Sequence, residues 1–199
     1  MTLLLLAWLS FPNAAAQEAT PLSFDVRVFD GTTEVTPATR VTIHDAGTRD
    51  APRQVPLAPN GERQLTLPSG RYDVQLVHED AGRVLRVRWT SLRLLVGYPG
   101  AHGRQLEVFN MRPGYGALQV RRAGSSPERG PVRWTATLRE AGGGVEVGTP
   151  VAGDGYLLFV TRPGTYDLEI RTSDGETRWR RGVHVVEDLT YLHSWSETP

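Results

Sequence analysis

The side chains best equipped for chemistry in this chain are arginines, tryptophans and histidines, and their spacing points to recognition rather than turnover. Arg86 and Arg88 alternate with Leu85, Val87 and Trp89, while Arg178 and Arg180 flank Trp179, with Arg181 intruding on the Trp179 side. Alternation with a period of two is the strand signature. Each group therefore reads as a strand with guanidiniums on one face and apolar residues on the other. Planar guanidinium donors beside an aromatic ring suit an anion or a carbohydrate. Each group also follows a strand whose outward positions are acidic or polar: Asp73 and Gln75 in one case, Asp167 and Glu169 in the other. A hairpin would set these across the ladder from the arginines, where opposite charges contribute about 0.2–1 kcal/mol each. A solvated, charge-laced face is the plainer reading; an anion- or glycan-binding face is the alternative.

The remaining candidates are scattered. His44, His78, His102, His184 and His193 form no pair at ligand spacing on one element, and no metal is expected. Ser69 and Ser91 lack a nucleophile-elbow context. The Asp-Gly pairs at Asp30, Asp154 and Asp174 lack the acidic spacing of a calcium loop and read as hairpin turns. Trp134 and Trp179 lie in strand patterns and read as core, whereas Trp195, near the C-terminus, reads as an exposed stacking platform. The stretch "LVGYPGAHGRQLEV" is longer than its counterpart "VVEDLTYLHSW". Tyr98 and His102 thus fall on an extra loop, the expected contact site, since loops on rigid scaffolds often carry binding.

Composition narrows the classes. The 199 residues carry zero net charge, which gives no basic footprint for nucleic acid. All 22 basic residues are arginine, so Schiff-base and P-loop lysine chemistry is absent. There is no cysteine, which excludes disulfides, thiolate metal sites and thiol nucleophiles. No cofactor is expected. The opening "LLLLAWLSF", broken by Pro12 and Asn13 and followed by "AAAQ", reads as a signal peptide over 1–16 with cleavage after Ala16, although no Lys or Arg precedes the apolar run. That run is too short to span a bilayer, no other segment approaches transmembrane length, and a periplasmic or secreted product is expected.

The elements that position these residues come in two sets. "GRYDVQL" from Gly70 returns as "GTYDLEI" from Gly164, an offset of 94; the same offset joins "FDVR" from Phe24 to "LQVR" from Leu118, and an offset of 95 joins "VTIHDAG" from Val41 to "ATLREAG" from Ala136. Within each set, short alternating segments are separated by Gly, Pro, Asn and Asp turn signals, and no apolar helical period is sustained. In the repeated phrase, the glycine is expected to take a positive φ at a turn, and the tyrosine to bury its ring and find a partner for its hydroxyl.

"NGERQLTLPSGRYDVQLVHEDAGRVLRVRWTSLRLLV" and "DGYLLFVTRPGTYDLEIRTSDGETRWRRGVHVV" resemble the second half of the prealbumin-like sandwiches, which include the carboxypeptidase regulatory-like domain and the collagen-adhesin B-type repeat. The hallmark is a strand, then "LPxGxYxVxV", then two further strands. The resemblance implies an accessory, binding or spacer role in exported proteins. Some adhesin members form a Lys-to-Asn/Asp amide, which a lysine-free chain cannot make. Prealbumin-like hydrolases of the purine pathway end in Tyr-Arg-Gly-Ser; this chain ends "HSWSETP", so their activity is not carried over.

The expectation is an all-β chain of two tandem antiparallel β-sandwich domains, prealbumin-like or immunoglobulin-like, after a signal peptide: 22–110, a linker at 111–116, and 117–199. The expected function is non-enzymatic binding or scaffolding at the cell envelope, with a protein or glycan partner. A carbohydrate-binding module and a hydrolase with its site between the domains are the alternatives; the hydrolase requires His, Asp and Ser side chains converging in one cleft. Candidate contact residues are Tyr98, His102, Trp195, Arg86, Arg88, Arg178 and Arg180.

Overall fold

Alternating segments become strands throughout a computed structural model that describes residues 21–48, 50–59, 61–95, 105–123, 133–142, 144–153 and 155–196. No helix occurs among the described residues. The signal segment, Tyr98 and His102 lie outside them.

In the first half, β1 (Pro21–Asp30) pairs antiparallel with β2 (Thr33–Glu34) and β5 (Arg63–Pro68), and parallel with β8 (Gln105–Asn110). The facing sheet runs in the order β4 (Arg53–Gln54), β3 (Thr39–Asp45), β6 (Gly70–Asp80), β7 (Arg83–Leu94). In the second half, β9 (Gly116–Arg122) pairs antiparallel with β12 (Tyr156–Thr161), which carries β11 (Val151–Ala152), and parallel with β15 (Thr190–Trp195). The facing sheet runs β10 (Thr135–Glu140), β13 (Gly164–Arg171), β14 (Thr177–Val185). The sheets are antiparallel apart from one parallel pair in each half.

Pairing partners in the two halves stand at the offsets read in the sequence. Phe24 faces Leu65, and Leu118 faces Phe159. Val41 faces Leu76, and Ala136 faces Ile170. Each half has its own apolar core, the first built on Phe24, Ile43, Leu76 and Leu94, the second on Leu118, Leu138, Phe159 and Leu168.

The repeated phrase does the same work twice. Tyr72 and Tyr166 are buried, and their hydroxyls donate to the carbonyls four residues upstream, Pro68 at 2.8 Å and Arg162 at 2.7 Å. The following aspartates each accept a turn amide: Asp73 from Gly47 at 2.9 Å, Asp167 from Gly142 at 3.0 Å. One expectation is corrected here. Gly70 and Gly164 do not take a positive φ. They sit against the tyrosine rings instead, and a Cβ on Gly164 would lie 3.2 Å from the Tyr166 hydroxyl oxygen.

A third cluster joins the halves: Phe29, Leu106 and Val108 pack on Ala117, Tyr156, Leu158 and Val160. β12 is therefore buried on both faces, which its uninterrupted "YLLFV" run reflects. A polar network crosses the same boundary. Arg27 is buried and forks onto Glu34, with Nε to Oε1 at 2.9 Å and Nη2 to Oε2 at 2.5 Å. Arg27 also donates to the Tyr156 hydroxyl oxygen at 3.3 Å, and Tyr156 donates to Glu62. Burial is the largest influence on the Arg27 charge and opposes it, but the hydrogen bonds and charge interactions with Glu34 and Tyr156 together outweigh it and raise the pKa; burial, with Glu62 beside it, raises that of Tyr156. The segment 111–116 is packed: Met111 lies in the first core, and Tyr115 lies beneath the Arg162 guanidinium at 4.2 Å.

Candidate binding cleft and partner face

The arginine-bearing hairpins form, in a different register from the one expected. Asp73 pairs with Ser91 and Gln75 with Trp89, so Arg86 and Arg88 face the other way, opposite His78 and Leu76. The cause is a conflict of parity. Leu92 and Leu94 are buried opposite Tyr72 and Gly70, which commits the even-numbered residues of β7 to the inner face. Val87 and Trp89 are odd-numbered and must face out, while Leu85 is the extra residue of a bulge between the Arg86 and Val84 pairings and is also exposed. In β14, Leu168 pairs with Arg180 and Ile170 with Arg178, leaving Trp179 outward opposite Glu169. A bulge opposite Asp167 then restores the inward position for Val183. Gly182, with φ of +68°, supplies the left-handed residue of that bulge.

Arg86, Arg88 and Arg178 consequently close the open edges of the sandwiches. Arg86 reaches Asp30 at 3.1 Å. Arg88 donates to the Asn110 carbonyl at the end of β8 and to Asp188 at 2.6 Å; Arg178 donates to the Ser196 carbonyl just past β15. Arg180 lies on the inner side of β14, exposed. The acids expected across the ladder find other cations: Asp167 takes Arg181 at 2.6 Å, and Glu169 takes Arg171 at 2.5 Å and Arg139 at 3.3 Å. The Arg181 hydrogen bond leads the causes that lower the Asp167 pKa. Burial pushes Glu169 upward, but its two arginines outweigh it and the net shift is down.

Two tryptophan expectations are also corrected. Trp195 is not an exposed platform: it is 6% exposed and packs edge-on against Trp134 with ring centroids 5.4 Å apart. β15 carries it into the second core through parallel pairing with β9. Trp179 is not core but 43% exposed, and Trp89 matches it at 38%. The two hold equivalent places, since Gln75 and Glu169, their cross-strand partners, differ by the repeat offset.

The result on β7 is an exposed apolar row of Leu85 (53%), Val87 (50%) and Trp89 (38%), lying along the strand between Arg83 and Arg93. Among the described residues, β7 is an edge strand, with β6 its only partner.

The second feature is a cleft of about 370 Å³ between the halves. β7 and its end supply Ser91, Arg93 and Leu95; β8 supplies Gln105 and Glu107; β14 and the segment after it supply His184 and Val186; the start of β15 and the turn before it supply Asp188, Leu189, Thr190 and Tyr191. The turn at 186–189 is held tightly. Asp188 has φ of +56° and donates its amide to the Tyr115 carbonyl at 2.9 Å. A Cβ on Gly116 would stand 2.1 Å from the Val186 carbonyl oxygen, so only glycine lets β9 pass there. Glu107 is sunk in the wall beside Gln105, and burial pushes its carboxyl up to about 7 against the opposing Gln105 hydrogen bond.

Ser91, His184 and Asp188 do line one cleft, as the hydrolase alternative requires. His184 is hydrogen-bonded to Thr165 at 3.0 Å and Asp188 to Arg88, however, and no hydrogen bond joins Ser91 to His184. A serine nucleophile needs a base within hydrogen-bond reach, and no such relay is assembled. Among the described residues, no group of three or more His, Cys, Asp or Glu side chains is placed to hold a metal ion. The cleft and the β7 row escaped sequence reading. The signal for the row was present, in the odd spacing of Leu85, Val87 and Trp89 against the even spacing of Leu92 and Leu94.

No protein-family model matches the chain, and no curated protein matches it. Among solved structures, it is similar to the Bacillus anthracis TIE protein at 15% identity and a TM-score of 0.31. That match covers 88% of this chain and 34% of the other, so the chain spans about a third of that protein's length. It is similar to GBS52, the minor pilin of Streptococcus agalactiae, at 10% identity and a TM-score of 0.28, covering 87% of this chain and 94% of that one. It is also similar to BcpA, the major pilin subunit of Bacillus cereus, at 10% identity and a TM-score of 0.32, covering 84% and 69%.

Proposed function

We propose that the chain is an exported, non-enzymatic binding or scaffolding protein of the cell envelope, built of two copies of one sandwich at 22–110 and 117–199, joined through 111–116 and preceded by a cleaved leader. The observation that carries this reading is the exposed row Leu85, Val87 and Trp89 on the edge strand β7. Apolar side chains in a row on a sheet edge mark an interaction site. Charge selects the partner: β7 contains four arginines and no acid, and Arg83 and Arg93 bracket the row. A protein segment that is extended, apolar and flanked by acids complements both features and can add to the edge as a further strand. The buried Arg27–Tyr156–Glu62 network supports the scaffolding half of the reading, because it ties the two sandwiches together.

The test is surface plasmon resonance with envelope proteins, comparing wild type with L85S/V87S/W89A and with V145S, which changes an exposed residue away from β7. Binding retained by V145S, lost in the triple variant and weakened by salt is the expected result. Equal binding by all three proteins would remove the reading. Turnover of an envelope substrate that depends on Ser91 or His184 would replace it with the hydrolase.

A further inference from the structure

We infer that Arg71 and Arg93 form an oxyanion subsite at the mouth of the inter-sandwich cleft, and that the cleft takes an acidic glycan, a sugar chain bearing carboxylate or sulfate groups. The two arginines stand directly opposite each other in the β6–β7 ladder, both exposed. Directly opposed like charges destabilise a sheet. Ten other arginines among the described residues are ion-paired with acids. Neither the Arg71 nor the Arg93 guanidinium has an acidic or hydrogen-bonding partner among the described residues. The fold does not demand the pair: the equivalent positions in the second half hold Thr165 and His184, hydrogen-bonded at 3.0 Å. An oxyanion bridging the two guanidiniums converts repulsion into charge-assisted hydrogen bonds.

The surroundings choose the rest of the ligand. An open depression beside the pair is lined by Ser69, Arg71, Arg93 and Leu95, and Arg93 and Leu95 also line the cleft, so the two spaces adjoin. Inside the cleft, Val186, Leu189 and Tyr191 expose apolar surface near the acceptors Glu107 and Asp188. A sugar ring has C–H faces for the first set and hydroxyl donors for the second. An acidic peptide would satisfy the arginines but would bring carboxylates and carbonyls against those acceptors. The subsite shares Arg93 with the flank of the β7 row but uses none of Leu85, Val87 and Trp89.

Isothermal titration calorimetry on the chain from residue 17 onward tests the inference. The probes are an oligogalacturonate and a chondroitin sulfate oligosaccharide, with a neutral galacto-oligosaccharide and hexaglutamate for comparison. Binding of at least one acidic sugar is expected, weakened about tenfold or more in both R71Q and R93Q through loss of a charge-assisted bond, and unchanged in R83Q. Removing one of two repelling charges does not threaten folding. L85S/V87S/W89A should bind the sugar normally, which separates this site from the protein-partner face. The inference is overturned by no binding of either acidic sugar, by full affinity in R71Q and R93Q, by equal loss in R83Q, by equal affinity for the neutral sugar, or by tighter binding of hexaglutamate.

Discussion

Tyr156 donates its hydroxyl hydrogen to Glu62 in a buried contact that crosses from the second half of the chain to the first. Arg27 approaches the same hydroxyl oxygen from the first half, with its charge balanced by Glu34. A buried cation held this way depends on every partner, because losing one leaves charge without compensation in a water-poor setting. Glu34→Gln is therefore expected to cost about 3–5 kcal/mol. Tyr156→Phe, which removes one shared hydroxyl, should cost about 1–3 kcal/mol. Urea unfolding of the two variants measures the order; a costlier Tyr156→Phe would contradict the placement of charge in this network.

The paired tyrosines supply a symmetrical test. Tyr72→Phe and Tyr166→Phe each leave an upstream carbonyl, Pro68 or Arg162, without its donor. Each should destabilise by about 1–3 kcal/mol, and by similar amounts, since the two bonds differ by 0.1 Å in length. A thermal or urea melt in which either variant matches wild type would show that its hydroxyl bond adds nothing.

Glu107 makes stability depend on pH in a defined direction. Its folded pKa, about 7, lies above the ordinary carboxylate value, so the folded protein holds this proton more tightly than the unfolded chain does. The contribution is fully present below about pH 4.3 and is lost as pH rises toward 7. Glu107→Gln has no charge to bury and should gain roughly 1–3 kcal/mol on wild type between pH 5 and pH 8. Urea midpoints at the two pH values report it; a constant difference between the proteins would refute the burial of Glu107.

The tryptophans divide into two populations that light can separate. Trp134 and Trp195 are buried against each other, while Trp89 and Trp179 are exposed. In the chain from residue 17 onward, W89F/W179F should emit at shorter wavelength and resist acrylamide quenching. W134F/W195F should emit at longer wavelength and quench readily. The reverse assignment would place Trp195 back at the surface.

Much of the architecture was legible because it rests on short-range rules. Alternation over Tyr72, Val74 and Leu76 identified a strand and its inner face, since side chains on a strand point alternately to opposite sides. The offsets of 94 and 95 reappear as equivalent pairing partners, Val41 with Leu76 and Ala136 with Ile170. The cleft was not legible. Its walls come from β7, β8, β14 and β15, brought together by the parallel pairing of β8 with β1 and of β15 with β9 and by Gly116 passing under Val186. No local pattern encodes those meetings.

The sequence by itself determined the strands, their turns and the buried tyrosines, because period, turn chemistry and the need of a buried hydroxyl for a partner act over a few residues. Tertiary structure alone decided which face of β7 and β14 meets water. "RVLRVRW" offers an apolar face as convincing as that of "SLRLL", and the two are out of phase. Only the core contacts of Leu92 and Leu94 decide which is buried, and they leave Trp89 outside.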